Sequence, residues 1–266
     1  MAKRKQKRDI YQEVTDRLIE QLENKTPPWL RPWKQGQQGD ASMPYNCCSG
    51  TNYNGINIML LWSQCYSTPA WFSYKQAQQL GGNVRKGEKS TMITYFSPIA
   101  VKKEINGKEE EIKIPLLKTF NVFNIEQCEN IDESKLKAPQ KIEVDFTTAL
   151  KFARNCGATV KHGGNKAFYT TGQDFIQMPA QADFDKKSNY DAVLLHELTH
   201  WTGHSSRCAR KFGHHFGSDD YAFEELVAEM GAAITCAILG VQSEELRHVG
   251  YLQSWLKQLR EDKKAI

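Results

Sequence analysis

Apolar residues recur at Ile10, Val14, Leu18, Ile19 and Leu22 within an otherwise polar stretch. This spacing of i, i+4, i+8, i+9, i+12 forms one stripe and predicts a helix from Asp9 to Glu23. The helix has to stop before Thr26-Pro27-Pro28, because a residue preceding proline is pushed out of the α region. Ile56 to Tyr66 reads as a buried helix or strand, and its composition does not decide which. Phe72 to Leu80 reads as a short helix halted by Gly81-Gly82. Residues 91–101 and 112–123 are rich in Thr, Ile, Val, Tyr and Phe and read as strands. Asn106-Gly107 between them signals a tight hairpin, since a type I′ turn requires positive φ at both central residues. Beyond a polar stretch with Pro139, a helix is expected over 145–155 and a strand over Phe175–Met178, closed by Pro179. Three helices follow, over about 189–202, 219–239 and 243–262.

These elements predict an α+β protein of two domains. A basic, disordered head (1–8) precedes a mixed α/β domain (9–128), a linker (129–142) and a second domain (143–266). A length of 266 residues and 40% apolar content suffice for two cores. The net charge of +4 is unevenly placed. Residues 1–135 hold 19 Lys+Arg against 15 Asp+Glu, and residues 136–266 hold 16 of each. The excess points to an anionic partner for the first half. The longest apolar run, Ile56–Trp62, is too short for a membrane span, and no apolar segment follows the basic head as in a secretory signal. Seven cysteines without CxxC spacing argue against a disulfide framework, so a reducing, cytoplasmic setting is expected.

The strongest chemical signal is His196-Glu197-Leu198-Thr199-His200, set in a helical sequence that Gly203 can end and Ser188 could cap. Histidines at i and i+4 share a helix face and can share one divalent cation, and a Glu beside the first can serve as general base. A third ligand is expected on the following helix, which Ser218 caps. There Glu225 and Glu229 lie on the apolar face, one as ligand and the other as a carboxylate orienting a ligand histidine. Glu224, about a quarter-turn away, is expected to face solvent. Cys208 and Cys236 read as packing residues, and no histidine occupies the position six beyond His200, which is Ser206.

The second half resembles gluzincin metallopeptidases, in which HExxH is followed by ExxxD on a later helix. Here the second motif reads Glu225-Leu-Val-Ala-Glu229, with Glu in place of Asp. That resemblance implies His196, His200 and Glu225 as ligands, Glu197 as base and Glu229 as orienting group or alternative ligand. Longer segments are similar to the ArdC-type antirestriction proteins: residues 196–204, 216–218, 221–229 and 254–259, with Pro44-Tyr-Asn46, Tyr53-Asn-Gly-Ile-Asn57 and Gly81–Glu88 in the first half. The family implies an N-terminal domain that binds single-stranded DNA and a C-terminal zincin-like metallopeptidase domain carrying the HExxH helix. It also implies carriage on conjugative plasmids and protection of incoming DNA from host restriction. Zn²⁺ is the expected cofactor, with Mn²⁺ or another divalent metal as alternative. The expected peptide substrate is a host restriction-system protein or another polypeptide. The rival reading is a protein that coats single-stranded DNA, with a metal domain that is structural or partner-binding and proteolytically dispensable.

Single strands are held by cationic grooves and aromatic platforms. Candidates are Arg85, Lys86 and Lys89 in the Gly-flanked turn 82–89, then Lys75 and Arg31, with Trp29 and Trp33 in a proline-fixed loop. Trp62 and Phe72 are expected to be core. Asp174–Met178 is expected to be a sheet edge to which an extended peptide adds.

Overall fold

The computed structural model describes residues 9–24, 43–105, 108–140, 148–213, 218–241 and 252–263. The basic head therefore lies outside the described residues. The chain divides into two compact units, one of residues 1–14 and 44–140, the other of 15–43 and 141–266. The predicted first helix, α1 (Ile10–Glu23), forms over the expected span and contributes to both.

The first unit is built on a four-stranded sheet of order β1-β2-β5-β4. It comprises β1 (Tyr45–Asn46), β2 (Ala70–Phe72), β4 (Thr91–Ile105) and β5 (Lys108–Asn124). The segment that composition left open is a helix, α2 (Ile56–Trp62), whose residues 57–62 are all buried. Full burial is why no amphipathic stripe was visible there. Its Asn57 caps the backbone of β4: Nδ2 donates to the Thr94 carbonyl at 2.8 Å and Oδ1 accepts from Thr94 N–H at 2.7 Å. Trp62 and Phe72 are core residues, as expected. Helix α3 (Tyr74–Gln79) starts at a Ser73–Gln76 capping box. Gly81, at φ 81°, follows its end.

β4 and β5 pair antiparallel from Thr91↔Val122 to Ile105↔Lys108, the register a two-residue connection at 106–107 demands. Both strands run further than the predicted 101 and 112. Residues 129–140, read as a linker, are instead tied into this unit. β3 (Asn83–Val84) pairs with β6 (Cys128–Glu129). Lys137 N–H bonds the Cys47 carbonyl at 2.8 Å, and Gln140 N–H the Gly50 carbonyl at 2.7 Å. The segment's polarity reflects an exposed path across the domain surface, which composition alone does not separate from a linker.

The second unit places helices beside a three-stranded sheet of order β7-β9-β8. Its elements are α4 (Ala149–Asn155), β7 (Thr159–His162), β8 (Phe168–Thr170), β9 (Phe175–Met178), α5 (Lys187–Thr202), α6 (Asp219–Leu239) and α7 (Leu252–Glu261). The strand expected at an edge, β9, is the central one, parallel to β7 and antiparallel to β8. Sheet order depends on non-local pairing, so no local signal marked it. α5 begins two residues earlier than expected, with Lys186 and not Ser188 at the N-cap. Ser218 does cap α6, accepting from Tyr221 N–H. α5 and α6 approach closely at Gly231, where a Cβ would lie 2.6 Å from Thr199 Cγ2. No helix among the described residues is long and apolar enough to cross a membrane.

Candidate metal centre and nucleic-acid surface

His196 and His200 lie one turn apart on α5 and are both buried. Their Nε2 atoms approach to 3.1 Å. From α6, Glu225 Oε2 lies 3.6 Å from His196 Nε2, and Oε1 lies 3.5 Å from His200 Nε2. Three donors at about 2.0–2.1 Å from one tetrahedral ion are about 3.3 Å from one another. The observed triangle fits that size, and these three are the metal-capable cluster among the described residues. Burial alone would lower the His200 pKa, but the hydrogen bonds it donates to Glu224 and Glu225 and the Glu197 charge outweigh it and raise it to about 9. Burial would raise Glu225, yet its bonds to both histidines hold it well below the usual carboxylate range. The donor set is thus arranged to exchange a proton for a divalent cation.

Glu197 is buried in the same cleft, and desolvation pushes its pKa up against the opposing pull of His196 and His200. The Tyr169 backbone N–H of β8 donates to it. The cleft has a volume of about 430 Å³, and Phe168 and Tyr169 of β8, Phe212 and Tyr221 join His196, His200 and Glu225 in lining it.

Glu224 is where the sequence reading fails. It is 2% exposed rather than solvated. Its Oε1 lies 3.1 Å from His200 Nδ1. Arg210 grips both carboxylate oxygens, Nε to Oε2 at 2.8 Å and Nη2 to Oε1 at 2.9 Å. The same guanidinium reaches the Thr199 carbonyl at 2.7 Å and Thr202 Oγ1 at 2.9 Å. Burial would raise the Glu224 pKa, but His200 and Arg210 bring it below its usual value. Arg210 was not singled out from sequence. One available signal was composition: from Leu226 to Leu239 the only polar side chains on α6 are Glu229 and Thr235, the mark of a helix buried on most sides. Glu229 is fully buried, with Oε1 3.8 Å from His196 Nδ1. Cys236 is buried, its thiol pushed up to about 12, and Cys208 is exposed, so neither joins the cluster.

Residues 8–123 match the family described as the N-terminal domain of anti-restriction factor ArdC. Residues 147–266 match a zincin-like metallopeptidase family. The crystal structure of the antirestriction ArdC protein from plasmid R388 is 38% identical, with a TM-score of 0.77 over 97% of this chain and 91% of that one. The chain belongs to the ArdC antirestriction family. A Mn(II)-bound structure of the R388 protein matches equally well, at a TM-score of 0.76. The uncharacterized protein y4eC of Sinorhizobium fredii (strain NBRC 101917 / NGR234) is 32% identical, over 97% of this chain and 87% of its own length. Two Escherichia coli DNA primases TraC are 38% and 36% identical, but this chain spans only 25% and 19% of their lengths. As an ArdC-family chain it couples an ArdC-type N-terminal domain to a zincin-like domain whose two histidines and glutamate suit a divalent metal.

In the first unit, Lys86, Lys89 and Lys75 are exposed, and Gly87 turns the chain at φ 94°. Arg85 is exposed but braced: its guanidinium bonds the carbonyls of Cys128 and Glu126 and pairs with Glu88 at 3.3 Å. Trp29, Arg31 and Trp33 lie outside the described residues.

Proposed function

We propose that this chain is an antirestriction protein whose first unit binds single-stranded DNA and whose second unit is a metal-dependent peptidase. The observation that supports the peptidase reading best is the buried Glu197 carboxylate beside a three-donor metal set in one cleft. His196, His200 and Glu225 would hold a divalent cation, which would supply Lewis acidity to a substrate carbonyl. Glu197 takes a proton from the attacking water and passes it to the departing amine. Desolvation raises its pKa, which makes the carboxylate a better proton acceptor. Glu224 holds His200 through Nδ1, leaving Nε2 for the cation. A peptide substrate, such as a subunit of a host restriction system, adds as a strand to β8. This strand pairs only with β9 among the described residues and runs along the cleft.

Glu197→Ala tests the reading. It is expected to keep metal and single-stranded DNA binding while losing hydrolysis of peptide substrates and protection of incoming DNA. If protection persists with metal still bound, proteolysis is not the operative activity and DNA coating is.

A further inference from the structure

The β4–β5 hairpin outgrows the sheet that founds it. Among the described residues β2 pairs with β5 only at Phe123 and Asn124, and beyond them β4 and β5 pair only with each other, as a two-stranded arm. Such ribbons are marginal by themselves, and an arm this long without a covering layer needs another reason to present apolar side chains. One face is sealed at the base by Ile93 and Val122, which pack with Leu61 and Trp71. Further out on the same face, the register lines up Tyr95 with Lys118, Ile99 with Ile114, and Leu116 with Ser97, while Phe120 lies diagonal to Tyr95. Tyr95 is 56% and Phe120 52% exposed, their ring centroids 6.3 Å apart at 67°. Ile99, Ile114 and Leu116 are exposed beside them.

Charge and backbone select the occupant. Lys102 and Lys103 are registered opposite Glu111 and Glu110, and Lys113 lies on the other face, whereas Lys118 stands opposite Tyr95 with no carboxylate anywhere in 91–103 or 112–124. A protein partner could add as a strand along an open edge, but Pro98 and Pro115 stand directly opposite each other mid-arm. Proline lacks the N–H such pairing requires, and it blunts edges in natural sheets. What remains is a face of exposed rings with a lysine between them, the combination by which single strands are held.

We propose that this face, centred on Tyr95, Lys118 and Phe120, is a base-stacking surface for single-stranded DNA. It takes bases on the rings and a phosphate on Lys118, apart from the basic turn at 85–89. From Tyr95 to Ile99 the strand covers about 13 Å, room for a few stacked bases. The proposal rests on the single-stranded-DNA reading of the first unit.

The test is fluorescence anisotropy of the full chain with a labelled oligothymidine. Tyr95→Ala/Phe120→Ala should weaken binding roughly ten- to hundredfold, and Tyr95→Leu/Phe120→Leu should not restore it. Lys118→Ala should reduce the slope of log affinity against log salt by about 0.7. Tyr95→Trp should show indole quenching on binding. Because these side chains are exposed, unchanged thermal melts are expected in all variants. If the wild type binds and the ring variants bind equally well, the strand is held elsewhere and the proposal fails while the reading stands. If the wild type does not bind, the reading itself fails. If the ring variants instead abolish a wild-type dimer seen by sedimentation, with DNA affinity unchanged, the face belongs to a second copy and the proposal is wrong.

Discussion

Glu224→Gln probes the least expected part of the metal centre. The carboxylate serves two partners at once, with Oε1 near His200 Nδ1 and both oxygens on Arg210. Glutamine offers one oxygen and one amide nitrogen in the same space. If the oxygen stays on His200, the amide N–H₂ confronts the Arg210 guanidinium. If it turns to Arg210, the amide faces Nδ1 and drives the imidazole proton to Nε2, the nitrogen that faces the cation site. Either way His200 loses its charge-assisted bond. Loss of an outer carboxylate on a ligand histidine weakens metal binding about 10- to 100-fold, or about 1.4–2.7 kcal/mol. Zn²⁺-dependent stabilisation should shrink by the same about 1.4–2.7 kcal/mol at matched metal excess. Competition with a chromophoric chelator measures the affinity, and thermal melts with and without Zn²⁺ measure the stabilisation. The reasoning is refuted if Glu224→Gln keeps wild-type affinity while Glu229→Gln loses it, for then Glu229 alone orients the site.

Other outcomes follow from the same geometry. His196→Ala and His200→Ala should each abolish stoichiometric Zn²⁺ on mass-spectrometric metal analysis, with α5 still helical by circular dichroism. In the metal-free protein the folded-state pKa of His200, about 9, stands above the ordinary value of about 6.5. Its contribution to stability is therefore complete below about pH 6.5 and lost as pH rises through about 9, so the chelator-treated protein should melt progressively lower across that window. The apparent Zn²⁺ affinity should rise over the same range as the competing proton leaves. Gly231→Ala should cost about 1–3 kcal/mol in urea unfolding, because its Cβ meets Thr199 Cγ2 at 2.6 Å. Thr199→Ser, which removes that methyl, should recover most of the loss.

What could be read along the chain was whatever depends on near neighbours. His196 and His200 share a face because i and i+4 always do on a helix. The β4–β5 register followed from two residues between two strand-like runs. Glu225 and Glu229 were reachable together as candidates because both lie on the apolar face of their own helix. Tertiary structure decided what depends on distant partners. Glu224 turns inward because α6 is enclosed on several sides and Arg210, arriving from the loop after α5, neutralises it. β9 is central because β7 and β8 flank it, and strand order is not written in strand composition. Residues 129–140 belong to the first domain because their backbone meets Cys47 and Gly50, more than 80 positions earlier. Ile56–Trp62 is a helix because Asn57 and the surrounding core select it where its own composition was silent. Periodicity reports which way a side chain points within its own element; charge pairing, sheet order and domain membership are set by contacts whose closure the local sequence does not encode.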